Sequence, residues 1–144
     1  MIRGFHLLET VVNKLSPKEV HARRKEYARF KTSYIKWVAY KGGFDEILPE
    51  KDIRIAQKGH LPSYLDVHHI MPLGLGGNNS FSNLLVIDKS THKKIHKFYE
   101  SQDLTNDTLY LLVPDTEMVA STVSSRVQLE LRNKRTQPRY RNGR

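Results

Sequence analysis

The chain has 144 residues, no cysteine and a formal net charge of +9. Without thiols there is no disulfide, no zinc ribbon and no thiolate catalysis, so any metal must be held by histidine, carboxylate or amide groups. No run approaches the ~18 apolar residues of a membrane span, and the N-terminal stretch, broken by His6, Glu9 and Thr10, makes a poor signal peptide.

Charge is unevenly spread. Residues 1–41 carry ten Lys/Arg against three Asp/Glu, residues 126–144 carry seven against one, and residues 42–125 carry seven against eleven. Two basic ends around an acidic middle favour a polyanionic partner over a merely solvated surface.

Phe5, Leu8, Val12 and Leu15 recur at helical intervals and predict a helix over 5–15. "SPKE" at 16–19 reads as a capping box, with Ser16 at the N-cap, Pro17 at N1 and Glu19 at N3. It opens a second helix that should run to about Tyr40, where "KGG" stops it. Val20, Tyr27, Phe30, Tyr34, Trp37 and Val38 form its apolar stripe, read as core. Arg23, Arg24, Lys25, Arg29, Lys31 and Lys36 form the basic side, either solvated or in contact with phosphate.

Residues 44–64 should hold a short helix and a loop, broken by Gly59 and Pro62; Arg54 and Lys58, four apart, could share a face. "YLDVHHI" (64–70) and "NLLVID" (83–88) read as strands joined by the Gly- and Asn-rich "PLGLGGNNSFS". "THKKIHKFYES" (91–101) reads as a helix capped by Ser90 or Thr91, and "TLYLLVP" (108–114) as a strand. Residues 121–131 match strand and helix patterns alike. The tail from 132 to 144 reads as a flexible basic arm.

The histidines carry the chemistry. His92 and His96 stand four apart on a helix, so both rings lie on one face, a common arrangement for two metal ligands. His68, from the preceding strand, could supply a third. Three neutral imidazoles leave a divalent ion its full charge and open positions, as in a catalytic site. Adjacent residues on a strand point to opposite faces, so His69 is not needed by that metal. A free imidazole beside a Lewis acid suits general-base work. Asn83 could hydrogen-bond the loop backbone or hold the His69 ring. His6, His21 and His60 fall outside this pattern and read as ordinary surface or partly buried residues.

"VHHIMPLGLGGNNSFSNLLVID" and "THKKIHKF", with His68, His69, Pro72, Gly76, Gly77, Asn83, His92 and His96 in order, resemble the HNH or ββα-metal nuclease family. The resemblance covers about residues 54–98. It implies that His68, His92 and His96 hold one divalent ion (Zn, Ni, Mn or Mg), as in the three-histidine bacteriocin-type DNases. It further implies that His69 is the general base, and that Asn83 restrains hairpin and base. Asp66 matches an acidic residue that supports the site in that subgroup. The arginine that often lies four residues before that acid is absent: the position is Pro62. Arg54, Lys58 or a residue of the basic helix would then hold phosphate, with Lys93 and Lys97 as further candidates on the ligand helix. Residues 55–87 also resemble the C-terminal HNH domains of bacterial polymorphic toxins, such as contact-dependent and type VI effectors.

The expected fold is therefore α+β: a ββα-metal hairpin and helix at 64–98 within one domain over 1–144, with N-terminal helices and a C-terminal extension. The expected function is metal-dependent hydrolysis of DNA with little sequence specificity, leaving 5′-phosphate and 3′-hydroxyl ends. It would act in the bacterial cytoplasm, delivered as part of a larger secreted protein and countered by a cognate immunity protein. A phage, intron or restriction HNH enzyme would share the core. A non-catalytic metal-stabilised nucleic-acid-binding module has no reason to keep His69 and Asn83. A purely structural histidine cluster would bind no metal.

Overall fold

The structure, a computed structural model, describes residues 2–45 and 47–115. Expectations for 121–131 and for the 132–144 tail lie outside the described residues. Within them the chain is α+β. Strands β1 (Phe5–Val11), β2 (Leu65–His69), β3 (Leu84–Asp88) and β4 (Thr108–Pro114) form two antiparallel pairs, β1 with β4 and β2 with β3. The helices are α1 (Pro17–Tyr40), α2 (Glu50–Gln57) and α3 (Lys89–Glu100). None of the described helices is long and apolar enough to cross a membrane.

The helix predicted over 5–15 is a strand. Its spacing fits a helix locally, but β1 finds its partner about a hundred residues away, where Phe5 pairs with Pro114 and Val11 with Thr108. Ladder hydrogen bonds to β4 outweigh a weak local preference. The helix starts instead at the capping box: Ser16 Oγ accepts from Glu19 N, and the Glu19 carboxylate accepts from Ser16 N. The helix ends at Tyr40, as the sequence predicts, with that residue 84% exposed.

The β2–β3 hairpin lies between two apolar clusters. On one side α1 and α2 bring Tyr34, Ile35, Val38 and Ile53 against Leu65, Val67, Leu84 and Val86. On the other, α3 and the β1–β4 pair bring Phe5, Ile95, Tyr99 and Leu112 against Leu85 and Ile87. The side-chain period of two thus puts β3 into both clusters, and all five of its residues are buried. Tyr34, itself buried, donates its hydroxyl to the Leu84 carbonyl at 3.0 Å and ties α1 to the hairpin through a polar bond in the core.

The loop between β2 and β3 is tightly folded. Gly76 sits at φ 108°, a left-handed conformation that suits glycine. Gly77 has no room for a side chain: an added Cβ would lie 1.9 Å from the Met71 carbonyl oxygen. Its own carbonyl accepts from Arg23 Nη1 on α1. Gly77→Ala is expected to destabilise the protein by about 3 kcal/mol, since backbone rather than a yielding side chain must move. A urea midpoint unchanged in that variant would contradict the close approach.

Candidate active site

Strand β2 sorts the two histidines. His68 faces α3, with its ring 5.3 Å from that of His92 and edge-on to Phe5. His69 faces α1, with its ring 4.5 Å from that of Tyr27. Both open onto one cleft of about 610 Å³, which His92, His96 and Arg24 also line.

On α3, His92 and His96 bring their Nε2 atoms to 3.2 Å. Two nitrogens each about 2.1 Å from one ion stand about that far apart. His92 Nδ1 donates to Asp66 Oδ2 at 3.0 Å, which leaves its Nε2 lone pair facing His96. Lys89 donates to the other oxygen of the same carboxylate at 2.7 Å. Burial pushes the Asp66 pKa up, but the hydrogen bonds from Lys89 and His92 outweigh it and hold the carboxyl below its usual range. A carboxylate behind a histidine ligand fixes its tautomer and raises its basicity.

His68 is 3% exposed, and its Nε2 has no hydrogen-bond partner among the described residues. Such an orphan costs about 1–3 kcal/mol and calls for a reason; a metal ion beside His92 and His96 would supply one. Among the described residues no three His, Asp or Glu side chains already converge on one point as a finished site does. The fit to a divalent ion therefore rests on the close His92–His96 pair, the Asp66 support and the orphaned nitrogen.

Burial, then the charges of His92, His96 and His69, push the His68 pKa down to about 3. Burial is also the main cause of the downward shifts of His69 and His92, opposed by hydrogen bonds to Asn79 and Asp66 respectively. All three rings stay neutral in the fold at pH values where the unfolded chain, near its ordinary 6.5, takes up protons. The unfolded state then binds more protons, so these imidazoles cost the metal-free fold nothing above about pH 6.5 and destabilise it as pH falls toward 3. His68 alone contributes at most ~1.4 kcal/mol per pH unit across that window. The urea midpoint of the chelator-treated protein should drop between pH 7.5 and pH 5. A level midpoint would mean these imidazoles are not desolvated.

Asn83 braces the loop rather than the base. Its Oδ1 accepts from Met71 N at 2.8 Å, and its Nδ2 donates to the carbonyls of Met71 at 3.0 Å and Asn78 at 2.8 Å. The residue on the His69 ring is Asn79, whose Oδ1 lies 2.9 Å from Nε2. The N-cap of α3 also differs from expectation: Asp88 accepts from Thr91 N and from both hydroxyls, where Ser90 or Thr91 was expected to cap. Its carboxylate can take all three bonds at once.

Arg54 pairs with Glu50 at 3.4 Å on the exposed side of α2, and Lys58 ends that helix. Neither lines the cleft, nor do the exposed Lys93 and Lys97 of α3. Arg24 is the Lys or Arg that does, among the described residues, and its charge is one cause of the lowered His69 pKa. Tyr27, read as core, also lines the cleft; burial and then the Asp66 charge push its hydroxyl up to about 12. His60 lies in a second groove with Lys31, Asp66 and Lys89. His6 and His21 are exposed, and His6 pairs with Asp115 at 3.1 Å.

Compared with known proteins, the chain is similar to the uncharacterized protein YhhZ of Escherichia coli (strain K12). The two are 26% identical over 107 residues, which is 71% of this chain and 26% of YhhZ. The chain thus spans about a quarter of the length of that relative. No protein-family model matches it, and no solved structure does.

Proposed function

We propose that this chain is a metal-dependent endonuclease of the HNH type, cleaving DNA phosphodiester bonds with little sequence specificity. One observation carries the reading: neighbouring histidines leave one strand for opposite faces of the same cleft, His68 toward the His92–His96 pair and His69 into a separate tether. A structural cluster has no use for that division.

His68, His92 and His96 would hold a divalent ion, which when bound supplies Lewis-acid stabilisation of charge on the phosphate. Asp66 orients His92 from behind. Asp66→Asn is expected to weaken zinc or nickel binding about 10–100-fold, read by calorimetry. Unchanged affinity would reduce Asp66 to a partner of Lys89. His69 takes the proton of the attacking water. Arg24, which lines the cleft, would meet a phosphate there, in place of the arginine missing at position 62. The other cations of α1 add affinity without sequence information, so binding weakens with salt.

The test is cleavage of supercoiled plasmid by the native chain and His69→Ala, each with divalent metal and with chelator. Metal-dependent nicking by the native chain alone supports the reading. Retardation of DNA on a gel without cleavage under any metal would replace it with a binding module. We read the chain further as the toxic domain of an antibacterial effector, neutralised by an immunity protein. Expression inside bacteria should then fragment DNA and stop growth, and growth equal to that of His69→Ala would end the toxin reading.

A further inference from the structure

We infer that Asn79 is the positioning residue of His69: it fixes the imidazole as the Nε2–H tautomer, makes Nδ1 the proton acceptor, and ties the base to α1. The inference rests on the nuclease reading for its kinetic consequence but not for its geometry.

The hydrogen-bond logic leaves one assignment. Asn79 is 6% exposed, so both ends of its amide need protein partners. One end lies 2.9 Å from the Arg23 carbonyl oxygen. A carbonyl only accepts, so the atom facing it is the amide nitrogen. The other end, 2.9 Å from His69 Nε2, is then the amide oxygen, which also only accepts. The hydrogen between them must sit on Nε2. A neutral ring with hydrogen on Nε2 has its lone pair on Nδ1. Tyr27 packs against the ring and restrains its rotation.

The clasp is two-way. Asn79 holds the backbone of Arg23, while the Arg23 side chain donates through Nη1 to the carbonyls of Gly76 and Gly77. Residue 23 and loop 76–79 are therefore bonded in both directions, and the base is bonded to the same loop. Asn83, which touches Met71 and Asn78, holds the loop without reaching the ring.

The tautomer suits the step. Water gives a proton to Nδ1, its oxygen forms the new bond to phosphorus, and the bond to the 3′-oxygen breaks; solvent returns a proton to that oxygen. Throughout, the hydrogen stays on Nε2 and is donated to Asn79 Oδ1, so the same bond serves the neutral ring and the cation.

The experiment is a long-range proton–nitrogen correlation spectrum of the ¹⁵N-labelled, metal-free full chain at pH 7.5, with Asn79→Leu beside it. The expected result is a protonated-type Nε2 and an unprotonated-type Nδ1 for His69 in the native chain, moving toward averaged positions in the variant. In plasmid cleavage, Asn79→Leu should lower kcat about tenfold or more with KM nearly unchanged, the pattern of a group used beyond substrate binding. A native His69 with its hydrogen on Nδ1 would overturn the inference outright. So would a variant that keeps both tautomer and kcat. The native spectrum needs no variant, so a misfolded Asn79→Leu does not rescue the idea. If the native chain cuts nothing, the nuclease reading fails, while the spectrum still decides the role of Asn79.

Discussion

His69→Ala is expected to lower kcat for plasmid cleavage by about 10²–10⁴-fold, the usual contribution of a general base, with divalent-metal affinity near that of the native chain. The two halves belong together. His69 faces Tyr27 and Asn79 on the α1 side, whereas the His68 and His96 rings both neighbour His92 on the α3 side. Losing the ring at 69 removes a proton acceptor and leaves the His92–Asp66 pair intact. Calorimetry with zinc and a single-turnover cleavage assay measure the two quantities separately. If metal affinity falls in step with kcat, His69 is a ligand and the division between the neighbours is wrong.

His92→Ala is expected to do the reverse first: divalent-metal affinity falls by more than about 100-fold, and cleavage follows it down. Changes in groups behind a ligand cost up to about 100-fold, and removal of a ligand exceeds that. The loss can be read without any substrate. Metal at 100 times its Kd stabilises the native fold by about 2.7 kcal/mol, and chelator takes that away. The variant should show no metal-dependent shift of its unfolding midpoint. A shift equal to the native one would exclude His92 from the ligand set.

How far the sequence foretold this molecule depends on the range of each interaction. The capping box at Ser16 and Glu19 is complete within four residues, and α1 begins where it says. The hairpin strands and β4 are legible from short apolar runs bounded by turn residues, and α3 from the stretch 91–101 that follows a polar cap. Strand β1 was not, because what makes it a strand is β4, far along the chain. The same holds at the site. His68, His69, His92 and His96 announce themselves by spacing, and the cleft gathers them. Asn79 looks like an ordinary turn former after two glycines; its role exists only because Arg23, 56 residues earlier, offers a carbonyl. Arg24 is one of six cations on the basic side of α1, and nothing local distinguishes the one that reaches the cleft. Tyr27 sits in an aromatic stripe otherwise given to the core.

Strand β3 has no face left over. Leu84 and Val86 belong to the cluster under α1, and Leu85 and Ile87 to the one under α3. Natural drift is therefore constrained on both sides of five residues. A bulkier residue at 85 must be answered among positions such as Ile95, Tyr99 and Leu112, and one at 86 among Tyr34, Ile35 and Val38. Homologous chains should change these positions in matched sets, one set per side.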